Sequence, residues 1–218
     1  MTLQIVRITH EQVDEVAARV QGFTCRGPRY VDDESTRYGD EFLCTGAWAE
    51  LDRQGITRTF VAVLDGEIVG YVSLTADSIT LTSSERKTAS VRSQRRYGCV
   101  QIVMIASRAD THERRDVAVG TALLEHAQLV GREVGESIGA RFLAADVNPG
   151  SVAFYERAGF VSLKADAGKL GGLTPMMLDL QPMAQAPGGR AAPRAPSQLP
   201  ATPPPGFALP EKRGGDKK

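Results

Sequence analysis

A nearly continuous apolar run, residues 99–106, constrains the fold of this chain more than any other feature of its sequence. Such a run is typical of a strand that is covered on both faces. From residue 119 the apolar positions recur at helical spacing as far as Val134, and residues 141–147 again have the composition of a strand. Strand, helix and strand at these lengths form a βαβ unit, so we expect the two strands to run parallel.

The segments before this unit predict antiparallel pairing. Residues 3–8 alternate as a strand, and a capping box at Thr9 precedes a first helix. Asp65-Gly66 separates two β-branched segments, residues 58–64 and 67–74, and is a strong signal for a two-residue hairpin.

After the unit, the sequence predicts one more helix and one more strand. Asn148 is the expected N-cap of a helix over 149–158, with Gly159 just beyond its end, and residues 173–180 form the last strand. The expected fold is therefore α/β, with a mixed, mostly antiparallel sheet, a central parallel pair and flanking helices.

Two segments predict less regular structure. Residues 24–45 are rich in Gly, Asp and Arg and give no clear element, although a short helix is expected over 42–51. Residues 83–96 carry five basic side chains among small polar ones, which favours an exposed basic loop. Its basic residues are Arg86, Lys87, Arg92, Arg95 and Arg96.

The folded domain is expected to span residues 1–180, followed by a disordered tail over 181–218. Nine of the 12 prolines lie in this tail, among Ala and Gly. Such a composition can bury little apolar surface and lacks amide donors. The alternative is that the tail is a partner-binding arm.

Composition excludes several classes of protein. Basic and acidic side chains are equal at 26 each, so the chain has no overall basic excess of the kind that nucleic-acid binding favours. Its three cysteines form no C-x-x-C pair, which indicates reduced thiols and no metal site. No signal peptide or membrane-spanning stretch is present in the sequence, so we expect a cytoplasmic protein.

The turn between the apolar strand and its helix is the first candidate binding site. Small residues at Ala118 and Gly120 allow a ligand to approach the backbone, and the first amides of the helix are unpaired donors at its positive end. A phosphate or pyrophosphate fits such a turn. The alternative is an ordinary tight turn before a helix.

A second segment follows one strand later: Asn148, and then Phe154-Tyr155-Glu156-Arg157-Ala158-Gly159-Phe160. Together with Arg115-x-x-Ala118-x-Gly120, it resembles the GCN5-related N-acetyltransferase (GNAT) family. Members of that family carry Arg or Gln-x-x-Gly-x-Gly or Ala in the first turn, and Asn followed by Phe-Tyr-x-x-x-Gly-Phe in the second. The resemblance extends over the whole expected domain.

The resemblance implies an acetyl-CoA-dependent N-acetyltransferase with no metal. Tyr155 matches the tyrosine that protonates the departing thiolate in many members; the alternative is a core aromatic residue. The pantetheine arm of acetyl-CoA would pair with the backbone of the apolar strand, with Asn148 as a further contact. The implied cofactor-binding residues are Met104, Ile105, Ala106, Arg115, Asp116, Val117, Ala118, Val119, Gly120, Thr121 and Asn148.

Two residues depart from the family pattern. Members often have Gly where this chain has Ala118, and Gly or a basic residue where it has Asp116. A carboxylate beside a pyrophosphate repels it unless it points away or pairs with Arg114. This departure favours, as an alternative, a non-catalytic acyl-CoA-binding module.

A narrower resemblance is to the acetyltransferase toxins of toxin-antitoxin pairs, which acetylate the α-amine of aminoacyl-tRNA. It rests on the predicted hairpin, on residues 134–139 and on residues 175–178. The N-terminal segments Phe23-Thr24-Cys25-Arg26-Gly27 and Asp40-Glu41-Phe42-Leu43 are weaker matches to that branch. This resemblance implies an antitoxin and a homodimer as further partners.

An aminoacyl-tRNA acceptor requires contacts with phosphates, for which the basic loop and Arg114 are the candidates. The alternative is solvated charge. Asp110 and His112 are weaker candidates for contact with the acceptor. A small-molecule or protein N-acetyltransferase would share every CoA residue and differ only in its acceptor cleft, so that acceptor class stays open.

Overall fold

The computed structural model describes residues 2–20, 23–25, 34–108, 118–164 and 172–181, and it contains both strands and helices. The strands are β1 (Leu3–Ile8), β2 (Arg58–Leu64), β3 (Glu67–Ile79), β4 (Tyr97–Ser107), β5 (Phe142–Val147), β6 (Val161–Ser162) and β7 (Thr174–Asp179). The helices are α1 (Val13–Arg19), α2 (Glu34–Cys44), α3 (Ala47–Arg53), α4 (Ser83–Thr88), α5 (Val119–Ile138) and α6 (Val152–Arg157).

The sheet has the order β1-β2-β3-β4-β5-β7-β6. Strands β4 and β5 run parallel, and the other neighbouring pairs are antiparallel. The predicted hairpin is present, and Asp65 and Gly66 both have a positive φ, as its tight turn requires. The predicted mixed sheet with a central parallel pair is therefore confirmed.

The two faces of the sheet are covered differently. Helix α5 covers one face, called here the α5 face, with one apolar cluster that reaches from β2 to β7. The opposite face carries two separate clusters. The first, the N-terminal cluster, packs α1, α2 and α3 around Trp48 and Tyr71. The second, the α4 cluster, packs Leu81 and Ala89 against Tyr97 and Phe142.

The predicted helix over 42–51 is wrong in its bounds. Two helices occupy this region, α2 and α3, and Gly46 separates them with a φ of 77°. A left-handed residue cannot continue a right-handed helix, and glycine adopts this conformation without steric cost. Helix α2 also lies in the stretch for which no clear element was expected.

The basic loop over 83–96 is also wrong in part, because its first residues form α4. Thr82 caps this helix in a capping box with Glu85, whose amide donates to the Thr82 hydroxyl. The Thr-x-x-Glu pattern is a sequence signal for a helix start that the basic composition obscured.

The helix expected over 149–158 is a 3-10 turn, Pro149–Ser151, followed by α6. Asn148 lies at the N-cap with extended backbone, but its side chain makes no capping hydrogen bond. Gly159 has a φ of 91°, as expected of a residue that ends a helix. The short strand β6 was not predicted. Within the described residues, no helix is both long and apolar enough to cross a bilayer.

Candidate active site

Strands β4 and β5 part in the middle of the sheet. They pair from Cys99 with Phe142 as far as Ile102 with Ala145, although β4 continues to Ser107. Beyond Ile102, β5 no longer pairs with β4, so the backbone groups of residues 103–106 on that edge have no partner from β5. The separation leaves an opening at the carboxyl ends of the only parallel pair in the described sheet, a common place for a ligand.

A β-bulge lies where the strands part. Ser73 of β3 pairs with Met104 and Leu74 pairs with Ile102, so Val103 has no partner. A bulge bends its strand and re-aims the side chains that follow it. Val103 is 39% exposed in a central strand, which indicates that the sheet is uncovered here. The predicted residues Met104, Ile105 and Ala106 all lie in this segment.

The first turn of α5 lies against the end of β4. Gly70 of β3 makes this possible, since a Cβ there would come within 2.8 Å of Val119 Cγ1 and 2.9 Å of the Ala106 carbonyl oxygen. Sequence reasoning missed Gly70, although an isolated glycine inside a strand is itself a signal for close approach. The structure therefore brings two of the predicted regions together, β4 at Ala106 and α5 at Val119.

The described part of the predicted phosphate turn is Ala118 and the start of α5. Ala118 has a φ of −80°, a conformation that alanine adopts without strain. The first intrahelical bond is donated by Ala122 to the Ala118 carbonyl, so the amides of residues 119–121 have no partner within the helix. Arg115, Asp116 and Val117 lie outside the described residues, as do Asp110, His112 and Arg114.

Tyr155 is buried in α6, in the cluster on the α5 face. Its ring meets those of Phe154 and Phe160 edge to face, at centroid distances of 5.3 and 5.1 Å. Phe154 in turn approaches Gly120, whose Cβ would lie 3.7 Å from Phe154 Cζ. The aromatic group thereby connects α6 to the first turn of α5. The placement fits both interpretations of Tyr155, as a core aromatic and as a residue next to the predicted cofactor turn.

Burial raises the pKa of the Tyr155 phenol above its ordinary value. A phenol is protonated at neutral pH at its ordinary pKa of about 10, and burial favours this neutral form further, so the group has a proton to donate. Among the described residues, no hydrogen bond to its hydroxyl oxygen is formed. Asn148 is half-buried and lies directly after the last residue of β5, beyond the point where β4 and β5 part.

The basic residues of 83–96 lie at the other end of β4. They precede Tyr97, and nine strand residues separate Tyr97 from Ser107, a distance of about 30 Å. Arg86 donates to the Leu81 carbonyl and Arg96 to the Ser78 carbonyl, so both hold local structure. Lys87, Arg92 and Arg95 are exposed. The structure does not bring this group together with the predicted cofactor residues.

The two N-terminal segments that echo the toxin branch contact each other. The Cys25 amide donates to Asp40 Oδ1 at 2.6 Å, and the Thr24 hydroxyl donates to Asp40 Oδ2. Tyr71 donates to the Gly39 carbonyl at 2.6 Å, and a Cβ at Gly39 would lie 3.7 Å from Ala106 Cβ. These segments form a wall beside the opening, on the face opposite α5, which sequence reasoning did not identify.

The fold is similar to several solved structures. A bacterial toxin is 20% identical, with a TM-score of 0.63, over 82% of this chain and 91% of the toxin. A tyrosine-to-phenylalanine mutant of KacT is 17% identical, with a TM-score of 0.64, over 83% and 96% of the two chains. AtaT complexed with acetyl-methionyl-tRNAfMet is 18% identical, with a TM-score of 0.61, over 82% and 94%. At these identities the likeness shows a shared fold.

No curated protein matches the chain. Residues 36–171 match the family described as the N-acyl amino acid synthase FeeM. This match spans more than half of the chain, and it includes β4 with its bulge, the start of α5 and Tyr155. The chain belongs to the FeeM family of N-acyl amino acid synthases.

Proposed function

We propose that this protein transfers an acetyl group from acetyl-CoA to the α-amine of an aminoacyl-tRNA, and that residues 1–180 form the domain that carries the activity. The observation that carries the proposal is the opening between β4 and β5 beside the first turn of α5. The edge of β4 that β5 does not pair and the helix amides without an intrahelical partner lie next to each other there. An extended amide chain that ends in a pyrophosphate uses both.

In this proposal the pyrophosphate rests on the amides of residues 115–121, with Arg115 as a nearby cation. The pantetheine arm pairs with the backbone of Met104, Ile105 and Ala106, and Asn148 contacts the arm from the other side. The exposed side chain of Val103 provides an apolar contact for the acyl group.

The chemical step needs one nucleophile and one proton donor. The neutral amine attacks the thioester carbonyl carbon and forms the C–N bond, and collapse of the tetrahedral intermediate breaks the C–S bond. The departing thiolate takes the phenol proton of Tyr155, and the proton lost by the amine nitrogen later restores the phenol. A phenol that stays protonated at neutral pH suits this role.

An α-amine is a suitable acceptor because its ordinary pKa is about 8, against about 10 for a lysine, so much of it is neutral near pH 7. The family description names the same bond, an amide at the amine of an amino acid. Among the structures of similar fold, AtaT is seen with acetyl-methionyl-tRNAfMet, and a mutant AtaT is seen with the C-terminus of the antitoxin AtaR and acetyl-CoA. These neighbours support an aminoacyl-tRNA acceptor and an antitoxin partner for this chain.

The exposed basic residues Lys87, Arg92 and Arg95 are proposed to contact the tRNA backbone. Their distance from the opening means that they bind the body of the RNA and leave acetyl-CoA untouched. Residues 1–180 carry 20 basic and 24 acidic side chains, and an acidic domain with one local basic region suits this division of roles.

A free amino acid is the second candidate acceptor, favoured by the family description. It uses the same opening and the same proton donor, and it makes no use of the basic residues. The two candidates are therefore separated by the form in which the amine is presented.

The test supplies labelled acetyl-CoA to the full chain with aminoacylated tRNA, with uncharged tRNA, or with free amino acids. We expect label on the RNA only when it is charged. Tyr155→Phe should slow this transfer about 100-fold with acetyl-CoA affinity and Tm unchanged, because the variant keeps the ring and removes only the hydroxyl. Label on free amino acids alone would establish the second candidate. Binding of acetyl-CoA with no transfer to any acceptor would contradict both.

A further inference from the structure

Asp146 is the single exposed residue of β5. The other five residues of the strand are buried, as expected of a strand with neighbours on both sides. An exposed carboxylate in the middle of a sheet requires that the layer covering the sheet is missing at that point. Asp146 follows Ala145, the last residue of β5 that pairs with β4, so it lies at the mouth of the opening.

The carboxylate of Asp146 lies on the face opposite α5. Ala144, two residues before it, belongs to the α4 cluster on that face, whereas Ala145 and Val147 belong to the cluster on the α5 face. Gln101 pairs with Ala144 across the strands and donates from Nε2 to Asp146 Oδ2 at 3.2 Å. This bond orients the carboxylate across the last paired residues of β4 and β5.

The polar pair fills the interval between the two apolar clusters of that face. The N-terminal cluster ends at Met104 and Ala106, and the α4 cluster begins at Cys99. Between them β4 presents only Gln101 and the exposed Val103. A small polar group can therefore reach the opening from this face without displacing any core residue.

The direction of the reaction points to the same face. This step depends on the proposed function. Tyr155 and the first turn of α5 belong to the α5 face, so the departing sulfur lies towards that face. An attacking nitrogen and a departing sulfur occupy different positions around the tetrahedral carbon, and the α5 face is already filled. The amine must then arrive from the opposite face, where Asp146 lies.

We propose that Asp146 is a catalytic residue that binds the acceptor amine and takes its proton, and that Gln101 is the positioning residue that orients it. The amine donates a hydrogen bond to the carboxylate, which directs the nitrogen lone pair at the thioester carbonyl. As the C–N bond forms, one N–H proton passes to Asp146, and the C–S bond breaks with the Tyr155 proton going to sulfur. Asp146 then releases its proton to solvent, and solvent restores the phenol.

A carboxylate is a strong enough base for an amine nitrogen that is bonding to the carbonyl carbon, although it is too weak a base for a free alkylammonium ion. The nitrogen becomes positively charged only as it bonds to the carbonyl carbon, and a proton on that nitrogen is far more acidic than one on an alkylammonium ion. A carboxylate at hydrogen-bond distance can accept it, and general-base assistance of this kind contributes about 10²–10⁴-fold.

The test measures kcat/KM for the aminoacyl-tRNA pool at fixed acetyl-CoA, together with acetyl-CoA affinity and Tm, for the wild type and five variants of the full chain, two of them at Gln101. Asp146→Asn keeps the shape and removes the base. Asp146→Glu restores a carboxylate one methylene further out. Asp77→Asn is the matched control, because Asp77 is an exposed carboxylate on β3, on the other side of β4, in register with Cys99 and away from the opening.

We expect Asp146→Asn to lower kcat/KM at least about 100-fold with acetyl-CoA affinity and Tm unchanged. Asp146→Glu should recover about a tenth or more of the wild-type value, and Asp77→Asn should stay within about twofold. A value for Asp146→Asn within threefold of an active wild type would overturn the role of Asp146 and leave the proposed function standing. Gln101→Ala should give a smaller loss that Gln101→Asn partly restores. A wild type that transfers to no acceptor overturns both proposals.

Discussion

The two faces of the sheet differ in continuity. On the α5 face one apolar cluster extends from Ala62 to Met176, and it includes Tyr155. On the opposite face the apolar residues form two groups, with Gln101 and Asp146 between them.

The difference shows how one sheet can serve two substrates. A continuous core fixes α5 and α6 against the strands, and groups fixed in this way keep their geometry during a reaction. A divided core leaves an approach to the same strands from the other side. We therefore expect acetyl-CoA on the α5 face and the acceptor amine on the opposite face. The opening between β4 and β5 connects the two faces.

The largest stability effect is expected on the α5 face, at Gly70. A side chain there meets the Ala106 carbonyl oxygen, a backbone atom that cannot rotate away. Gly70→Val should lower the free energy of unfolding by about 3 kcal/mol and weaken acetyl-CoA binding, because the first turn of α5 must move from β4. Gly98→Val is the control, since a Cβ at Gly98 meets nothing closer than 3.7 Å. Equal effects in a denaturation titration would show that α5 docking is not tight.

A smaller effect on stability is expected on the face opposite α5, at Tyr71. Tyr71→Phe leaves the buried Gly39 carbonyl without its 2.6 Å hydrogen bond and should cost about 1–2 kcal/mol. It should also raise KM for the acceptor and leave acetyl-CoA affinity unchanged, because α2 forms the wall on the acceptor side. Tyr38→Phe, at an exposed position of the same helix, should change stability by less than about 0.5 kcal/mol. A loss of acetyl-CoA affinity in Tyr71→Phe would contradict the assignment of faces.

A pH effect is expected at Asp52, where α3 meets β1 and β2. Burial raises the pKa of this carboxyl, but hydrogen bonds from His10 and the charges of Arg58 and Arg7 outweigh it, so the pKa is lowered. The carboxylate therefore contributes stability above its unfolded pKa of about 4, and this is lost as pH falls through the lower folded value. Asp52→Asn should cost about 1 kcal/mol at pH 7 and progressively less below pH 4. A mutational difference that is the same at pH 3 and pH 7 would exclude this ionic role.

The smallest effect concerns the far end of β4. Arg92→Ser with Arg95→Ser should leave stability and acetyl-CoA affinity unchanged and weaken the aminoacyl-tRNA complex. The slope of log K against log salt should fall by about one for each phosphate that the protein no longer neutralises. An unchanged slope would favour a free amino acid as the acceptor.

Much of the fold could be predicted from the sequence, because local sequence patterns identify most of the strands. The apolar run in β4, the Asp65-Gly66 turn and the helical spacing of α5 each identify an element from its own residues. The confirmed class of reaction, N-acyl transfer, followed from two short motifs. Helix α4 was missed because its basic residues favoured a loop, although Thr82 and Glu85 cap it.

The residues proposed to bind the acceptor could not be predicted from the sequence, because their positions depend on the register in which the strands pair. The bulge at Val103 exists only through the pairing of β3 with β4, and it lies where β4 and β5 part. Asp146 is an ordinary polar residue in a strand until that separation places it at an opening. The contact of Thr24 and Cys25 with Asp40 likewise joins residues that no local pattern connects.

Amide hydrogen exchange of the full chain, with and without acetyl-CoA, would show directly whether acetyl-CoA binds in the opening between β4 and β5. We expect slower exchange in the β4 amides of residues 103–107 that face β5 and in the first amides of α5, with α4 unchanged. Acetyl-CoA that binds without slowing exchange at either place would contradict a binding site in this opening.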